Sequence, residues 1–258
     1  MKTLYLDLSM GAAGDMLTAA LYELLDDEGR KGFLEAVNAL GLPDVEVRTR
    51  KTEKCGVTGT SADVLIGGRM EDEHHHHEDH HHEHGHGHHE HRSMNDVGKV
   101  IDGLRASDDV KLKAKEIYNV IAQAESIAHG VPVSEVHFHE VGALDAIVDV
   151  TSVCILMEML SPDKVCANDI CVGFGTVECA HGILPVPAPA TANILKGLPT
   201  YPGETEGEMC TPTGAALIRS FVDEFGPLPS ETPEKIGHGM GKRDYGVSSA
   251  LSAFILTT

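Results

Sequence analysis

The sequence begins with LYLDLSMGAAGDM at residues 4–16, a strand pattern followed by a glycine turn and the start of a helix. Apolar residues that alternate with polar ones over residues 3–8 predict the strand. Apolar positions at helical spacing predict the helix over residues 15–25. Strands and helices alternate along the rest of the chain, so we expect an α/β (mixed α+β) fold with a layered sheet and packed helices.

The same patterns predict the remaining elements. Helices are expected over residues 33–40, 95–104, 109–129, 143–160, 189–195 and 213–225, and strands over 165–172, 236–240 and 248–256. Residues 45–52 and 58–66 alternate around a short turn and predict an antiparallel hairpin. Two stretches are expected to be loops, the His-rich residues 70–92 and the Gly- and Pro-rich residues 173–187. We expect one domain over residues 1–258, interrupted by the His-rich loop.

Composition excludes several classes of function. The 258 residues carry 40 Asp and Glu against 20 Lys and Arg, which gives a formal net charge of −20. This charge argues against nucleic acids and anionic membranes as partners, because both attract cationic surfaces. No apolar run approaches the roughly 20 residues of a membrane span. The six cysteines form no CxxC pair, which favours a reduced, cytoplasmic protein.

Residues 71–91 contain twelve of the 17 histidines, together with seven acids and two glycines. Neutral imidazole binds nickel, zinc, copper and cobalt, so we expect a disordered loop that holds several divalent ions. Its capacity should fall below about pH 6, because protonated imidazole releases metal. The alternatives are a purification tag and a solvated acidic spacer. The predicted ligands are His74, His75, His76, His77, His80, His81, His82, His84, His86, His88, His89 and His91.

The densest chemical pattern is VHFHEVGALDAIVDV at residues 136–150. In an extended segment His137 and His139 point the same way, and in the following helix Asp145 and Asp149 share one face. Two imidazoles and two carboxylates predict a site for one transition-metal ion with open positions. The alternative is a buried polar network in which the histidines satisfy the aspartates without metal.

The turn after the first strand is a candidate ligand site. Gly11 and Gly14 precede a helix start, whose backbone N–H groups favour phosphate. Asp7 lies at the carboxyl end of the strand, where α/β sheets place their chemistry, and Asp15 either faces a ligand or caps the helix. Because the sequence has no GxGxxG and no Walker lysine here, a purely structural turn is the alternative.

Two later turns add candidates. His181 opens a proline-stiffened segment and is a candidate metal ligand or base. Thr211, Thr213 and Gly214 begin a helix whose N-terminus favours an anion, unless Thr211 only caps that helix. Glu208, just before this helix, belongs either to the site or to a solvated acidic run.

Four stretches together resemble the LarC family, the nickel insertion proteins of nickel-pincer cofactor synthesis. They are LYLDLSMGAAGDM at 4–16, VHFHEVGALDAIVDV at 136–150, HGILPVPAPA at 181–190 and GEMCTPTGAAL at 207–217. The family also carries a His-rich insert at the corresponding place. This chain departs from the family in having Met10, not Ser, before the first loop glycine. Full-length members continue into a C-terminal domain associated with CTP and with Mg(II) or Mn(II), which we expect this chain to lack.

The resemblance implies a CTP-dependent nickel insertase, a cyclometallase of the lyase class. Such a protein inserts Ni(II) into pyridinium-3,5-bisthiocarboxylic acid mononucleotide, and the product serves enzymes such as lactate racemase. The implied partners are this mononucleotide precursor and a C-terminal LarC-like domain or chain, and a homo-oligomer is among the options. The ring proton must be removed as the carbon–nickel bond forms; the catalytic candidates are Glu140, His181 and Asp7.

Two other functions compete with nickel insertion. One is a nickel storage or delivery chaperone without chemistry of its own, and the other is a metal-dependent phosphohydrolase. Activity on simple phosphoesters without a CTP-binding partner chain would favour the hydrolase.

Overall fold

The computed structural model describes residues 1–70, 92–138, 141–179 and 181–257. The helices within these residues are α1 (Gly14–Glu23), α2 (Asp27–Asn38), α3 (Met94–Gly103), α4 (Asp108–His129), α5 (Leu144–Leu160), α6 (Pro189–Leu195) and α7 (Pro212–Phe221), with a 3₁₀ turn at Val133–Glu135. The strands are β1 (Lys2–Asp7), β2 (Val45–Lys54), β3 (Val57–Ile66), β4 (Arg69–Met70), β5 (Arg92–Ser93), β6 (His137–Phe138), β7 (Lys164–Ala167), β8 (Ile170–Cys171), β9 (Gly173–Phe174), β10 (Thr176–Cys179), β11 (Gly182–Pro185), β12 (Thr200–Tyr201), β13 (Gly207–Glu208), β14 (Glu224–Phe225), β15 (Lys235–Met240) and β16 (Ala250–Thr257).

Eight of the described strands form one mixed sheet. Its order is β14-β7-β1-β16-β15-β3-β2, with β4 added to β3. β1 runs parallel to β7 and antiparallel to β16, while β15 runs parallel to β3. The other described strands pair two by two: β5 with β6, β8 with β12, β9 with β13, and β10 with β11. The mixed sheet with its packed helices confirms the predicted fold class.

Helix α1 links the sheet to the helical layer. It packs against β15, β3 and β16 on one side and against α5 on the other. A Cβ on Gly239 of β15 would lie 1.9 Å from the carbonyl oxygen of Met16, so only glycine allows this approach. α5 also contacts α2, α4 and α7 and is buried along most of its length. No helix among the described residues is long and apolar enough to cross a membrane.

Most predicted elements are confirmed to within two residues, including the first strand, the first helix and the long helices α4 and α5. The hairpin is also confirmed: β2 and β3 pair antiparallel from Val45↔Ile66 to Lys54↔Val57. Its turn is formed by Cys55 and Gly56, both with positive φ, which is the geometry that suits the twist of a two-residue hairpin.

Residues 173–187 are not the continuous loop that their glycines and prolines predict. β10 and β11 form a hairpin from Thr176↔Pro185 to Cys179↔Gly182, and β9 pairs with β13. The prediction was wrong because Gly175 and Gly182, at φ 90° and 91°, do not interrupt the strands: Gly175 connects β9 to β10, and Gly182 begins β11. Glycine at such positions supplies the left-handed conformation that a tight connection needs.

The other corrections concern boundaries. The helix predicted at 213–225 ends at Phe221, because the following residues turn and form β14, which pairs with β7. The turn is held by the Asp223 carboxylate, which accepts a hydrogen bond from the Val165 N–H at 2.9 Å. α2 begins at Asp27, earlier than predicted, because Asp26 caps it. The strand predicted at 165–172 is split into β7 and β8, and residues 70 and 92, expected in the His-rich loop, lie in β4 and β5.

Candidate functional site

A cavity of about 240 Å³ lies where the N-terminal ends of three helices meet. Its walls come from the starts of α1, α5 and α7 and from the connection between β15 and β16. The aligned peptide dipoles make each helix start electropositive. The charged side chains of the lining are Asp15, Asp145, Asp149, Glu208, Lys242 and Arg243. The cavity therefore combines carboxylates, cations and backbone N–H groups.

The turn that leads into α5 is fixed by two hydrogen bonds. The Arg92 guanidinium donates to the carbonyl oxygen of Gly142 at 2.8 Å, and the Tyr118 hydroxyl donates to that of Val141 at 2.9 Å. A Cβ on Gly142 would lie 2.7 Å from the Cβ of Phe138. The turn is thus tightly packed, and it places the first residues of α5 at the cavity.

Asp145 and Asp149 lie one helical turn apart on α5 and both line the cavity, as predicted for positions i and i+4. Asp145 accepts a hydrogen bond from the Ala146 N–H at 2.7 Å. Burial raises the pKa of the Tyr118 hydroxyl well above its usual value, and the charges of the two aspartates raise it further, while Arg92 opposes them. The field of these carboxylates therefore reaches the buried tyrosine.

The glycine turn after β1 is joined to the segment before α7. The Ala12 N–H donates to the carbonyl oxygen of Met209 at 3.0 Å, and the Thr211 N–H donates to that of Ala12 at 3.0 Å. Gly11 has φ +80°, and a Cβ there would lie 1.9 Å from the Met209 carbonyl oxygen. These backbone hydrogen bonds bring the starts of α1 and α7 to the same cavity.

The start of α7 is capped by the side chain of its own N-cap residue, Thr211. The Thr211 hydroxyl accepts a hydrogen bond from the Gly214 N–H at 3.1 Å, so the capping role considered for Thr211 is confirmed. Thr213 is buried and lines the cavity. A Cβ on Gly214 would lie 2.2 Å from the Ala12 carbonyl oxygen; this glycine lets α7 pack against the glycine turn.

The fourth wall is residues 241–249, which connect β15 to β16. The Lys54 ammonium donates to the carbonyl oxygens of Gly241 and Arg243, both at 2.7 Å. The Tyr245 hydroxyl donates to the Glu208 carbonyl oxygen at 2.8 Å. The Arg243 guanidinium lies 3.4 Å from the Glu208 carboxylate. The connection is thus fixed to both β2 and β13.

Comparison with known proteins agrees with this arrangement of motifs. A family model described as "Nickel insertion protein" matches residues 4–258. The chain belongs to this family. The resemblance drawn from the four motifs is thereby confirmed.

Several curated members of the nickel insertion family are similar over nearly the whole chain. Proteins from Lactiplantibacillus plantarum, Clostridium kluyveri and Geobacillus kaustophilus, each named pyridinium-3,5-bisthiocarboxylic acid mononucleotide nickel insertion protein, are 43%, 40% and 40% identical to it. The alignments cover 99%, 99% and 95% of this chain but only 61%, 62% and 57% of those proteins. The chain therefore spans about three fifths of their length. No solved structure matches it.

The structure brings together most of the predicted ligand-binding residues. Gly14, Asp15, Thr211 and Thr213 line the cavity with the α5 aspartates, while Gly11 and Gly214 provide the close packing behind it. Asp15 is not the N-cap of α1, which is Ala13, although its Oδ1 accepts a hydrogen bond from the Met16 N–H at 2.8 Å. Whether Asp15 contacts a ligand stays a prediction.

Two candidates lie away from the described lining of the cavity. Asp7 Oδ1 accepts from the Ser9 N–H at 3.0 Å and from the Asn168 side chain at 2.9 Å. The ring of His181 lies 4.9 Å from that of His129, at the end of α4. Any part that these two residues take in catalysis stays a prediction.

The predicted metal ligands are only partly described. His137 is exposed and lies opposite Ser93 where β5 pairs with β6. His139, Glu140 and the His-rich residues 71–91 lie outside the described residues. Within the described residues, no group of three or more His, Cys, Asp and Glu side chains is arranged to hold a metal ion. The four-ligand site of His137, His139, Asp145 and Asp149 therefore stays a prediction.

Lys242, Arg243 and Tyr245 also lie in the cavity wall, although no motif in the sequence predicted them. They fall in GMGKRDYG at residues 239–246, between the two last predicted strands. The available signal was two adjacent cations between glycines in a strongly acidic chain. Arg243 and Tyr245 reach the cavity through contacts with Glu208, which is distant in the sequence. The local pattern alone therefore does not predict their position.

Proposed function

We propose that this chain carries out nickel insertion into pyridinium-3,5-bisthiocarboxylic acid mononucleotide. The printed names of its relatives support this function. Because the chain spans about three fifths of their length, we assign the complete activity to the chain together with a C-terminal LarC-like part, present as a domain or as a separate chain. A cytoplasmic location remains part of the same proposal.

The observation that carries the proposal is the meeting of three separate family motifs at one cavity. The glycine turn, the Asp145–Asp149 helix and the Thr-Pro-Thr-Gly turn are distant in sequence, yet all contribute to its lining. A structural role for each turn would not require their polar groups to share one cavity.

Ni(II) is a substrate in this reaction. We assign it to Asp145 and Asp149 with His137 and His139, an N/O ligand set that leaves positions open. The thiocarboxylate sulfurs of the mononucleotide are softer ligands and draw the ion from this set. The glycine turn or the start of α7 is the proposed contact for the phosphate of the mononucleotide, because backbone N–H groups at a helix start favour an anion.

A base must accept the ring proton as the carbon–nickel bond forms. Glu140 is the better candidate, because it directly precedes the cavity residue Val141 in the chain. His181 contacts His129 and is not among the described lining residues.

We assign CTP and its Mg(II) or Mn(II) to the C-terminal part, as the family resemblance implies.

The test is reconstitution of the reaction. The chain would be incubated with Ni(II), the mononucleotide, CTP and Mg(II), with and without the C-terminal part of the Lactiplantibacillus plantarum relative as a separate chain. Mass spectrometry would detect the nickel-containing product, and apo-lactate racemase would report its activity. We expect product with the C-terminal part present and loss of product in Asp145→Asn.

Asp109→Asn is the matched control, because Asp109 also lies in the first turn of a helix but is exposed and outside the described cavity lining. Equal activity of Asp145→Asn and wild type would reject the assigned site. Nickel binding without product would favour storage or delivery, and hydrolysis of simple phosphoesters would favour the hydrolase.

A further inference from the structure

Tyr118 of α4 contacts the chain on both sides of residues 139 and 140. Its ring lies edge-on to that of Phe138, with 5.9 Å between the ring centroids and an interplanar angle of 63°. Its hydroxyl donates to the carbonyl oxygen of Val141 at 2.9 Å. Phe138 directly precedes His139, and Val141 directly follows Glu140. One side chain therefore holds both neighbours of the predicted ligand and the predicted base.

The Tyr118 hydroxyl serves this contact and does not face solvent. The residue is fully buried, at 0% exposure, where α4 packs against α5. A phenylalanine would fill nearly the same space without a polar group, and a buried hydroxyl is unfavourable unless it is hydrogen-bonded. Core packing alone therefore explains the ring of Tyr118 but not its hydroxyl.

The carbonyl that receives this hydrogen bond belongs to the segment that leads into α5. Val141 is 8% exposed and lines the cavity. The N-cap of α5, Ala143, makes no side-chain hydrogen bond, and the carbonyl of Gly142 is held by Arg92 at 2.8 Å. Contacts from α4 and β5 therefore fix the segment that delivers Asp145 to the cavity.

The Tyr118 hydroxyl remains a hydrogen-bond donor near neutral pH. Burial raises its pKa well above the usual value of a tyrosine, and the charges of Asp145 and Asp149 raise it further. The hydroxyl is therefore protonated throughout the range in which nickel insertion would be assayed, and its contact with Val141 does not depend on pH there.

We propose that Tyr118 is a positioning residue for nickel insertion. By holding the residues on both sides, it restricts His139 and Glu140 to positions that serve the cavity. A metal ligand and a base need this restraint, because a misplacement of about 1 Å can lower a rate by on the order of 10²-fold. The inference rests on the proposed function, which supplies the roles of these two residues.

The test removes one oxygen atom. Tyr118→Phe keeps the ring contact with Phe138 and loses the hydrogen bond to Val141. Tyr22→Phe is the matched control: the Tyr22 ring also lies 5.9 Å from a phenylalanine ring, that of Phe33, but on α1 and outside the described cavity lining. A third variant carries p-aminophenylalanine at position 118, which restores an N–H donor. Each chain would be assayed with the C-terminal part, Ni(II), the mononucleotide, CTP and Mg(II), and rates would be expressed per folded chain from urea unfolding curves.

Tyr118→Phe should lower kcat at saturating Ni(II) and mononucleotide by about 10- to 100-fold, with the KM for the mononucleotide unchanged. Tyr22→Phe should match wild type, and p-aminophenylalanine should recover most of the loss. Wild-type kcat per folded chain in Tyr118→Phe, or equal losses with phenylalanine and p-aminophenylalanine, would overturn the positioning role and leave the proposed function standing. Absence of product with both wild type and Tyr22→Phe would remove the proposed function and this inference with it.

Phe138→Leu removes the other contact of Tyr118 and decides the question if Tyr118→Phe does not fold. This variant should also lower kcat per folded chain, because the residue before His139 is then less firmly held. An unchanged kcat in Phe138→Leu would overturn the proposal.

Discussion

Gly14 at the start of α1 lies directly against Asp149 of α5. A Cβ on residue 14 would stand 2.8 Å from the Asp149 Cβ and 3.0 Å from its Oδ2. The N-cap of α1 is Ala13, which gives no side-chain hydrogen bond, so a nearby carboxylate complements the positive end of this helix. The glycine of one motif thus sets the position of the carboxylate of another.

This contact predicts that Gly14→Ala damages both stability and function. The added methyl group would push Asp149 away from α1, and overpacking of this kind costs about 1–3 kcal/mol. Thermal or urea unfolding and the nickel insertion assay would measure the two effects. Gly32→Ala is the control, because Gly32 lies in α2 with nothing within 4 Å of an added Cβ; it should stabilise the protein by up to about 1 kcal/mol. Equal stability of the two variants would contradict the packing argument.

The sequence was most informative where local pattern and burial agree. Residues 144–160 combine helical length with an almost continuous apolar composition, and α5 is buried through most of its length. The hairpin of β2 and β3 followed from alternation around Cys55 and Gly56. The polar pair Asp145 and Asp149 stood out because carboxylates on such a helix need partners.

The parts that sequence reasoning missed depend on contacts between distant segments. β14 is only two residues long and exists because it pairs with β7, which no local pattern encodes. In the same way, Arg243 enters the cavity through its approach to Glu208. Such strands and side chains are determined by tertiary packing, which overrides intrinsic propensity.

A second prediction separates nickel supply from nickel insertion. Deleting residues 72–91, or replacing their twelve histidines by asparagine, should lower the number of nickel ions bound per chain, because imidazole is the main ligand there. Insertion at saturating nickel should persist. His137→Ala should do the reverse and abolish insertion while most nickel remains bound. Equilibrium dialysis with metal analysis, run beside the insertion assay, measures both. Unchanged nickel stoichiometry after the deletion would rule out the storage role.

A third prediction concerns the base. Glu140→Gln should lose insertion by on the order of 10²-fold or more, the usual effect of removing a general base. His181→Ala should remain active, because the His181 ring lies against that of His129. The reaction rate would be followed at several pH values with saturating nickel. A large loss in His181→Ala with full activity in Glu140→Gln would move the proton transfer to the histidine.

The last prediction concerns the pH dependence of stability through Glu23 at the end of α1. Its carboxylate, only 9% exposed, accepts hydrogen bonds from Lys51 and Thr60 and from the His238 N–H. Burial alone would raise the pKa of Glu23, but these hydrogen bonds outweigh it and lower the pKa below the usual value of a glutamate. The ionised group therefore stabilises the fold above the unfolded-state pKa, and this stabilisation is lost as pH falls through the lower folded-state pKa.

Glu23→Gln should accordingly be less stable than wild type at pH 7, by about 1.5–3 kcal/mol as for hydrogen bonds to a charged group. The difference should begin to narrow as the pH falls below the ordinary pKa of glutamate, because the unfolded chain then takes up a proton while the folded carboxylate is still ionised, and the narrowing ends once the folded carboxyl is protonated too. Urea unfolding at a series of pH values measures this difference. Glu53→Gln, at an exposed position of β2, should stay close to wild type throughout. A gap between Glu23→Gln and wild type that is the same at pH 7 and at pH 3 would show that the charge of Glu23 does not contribute.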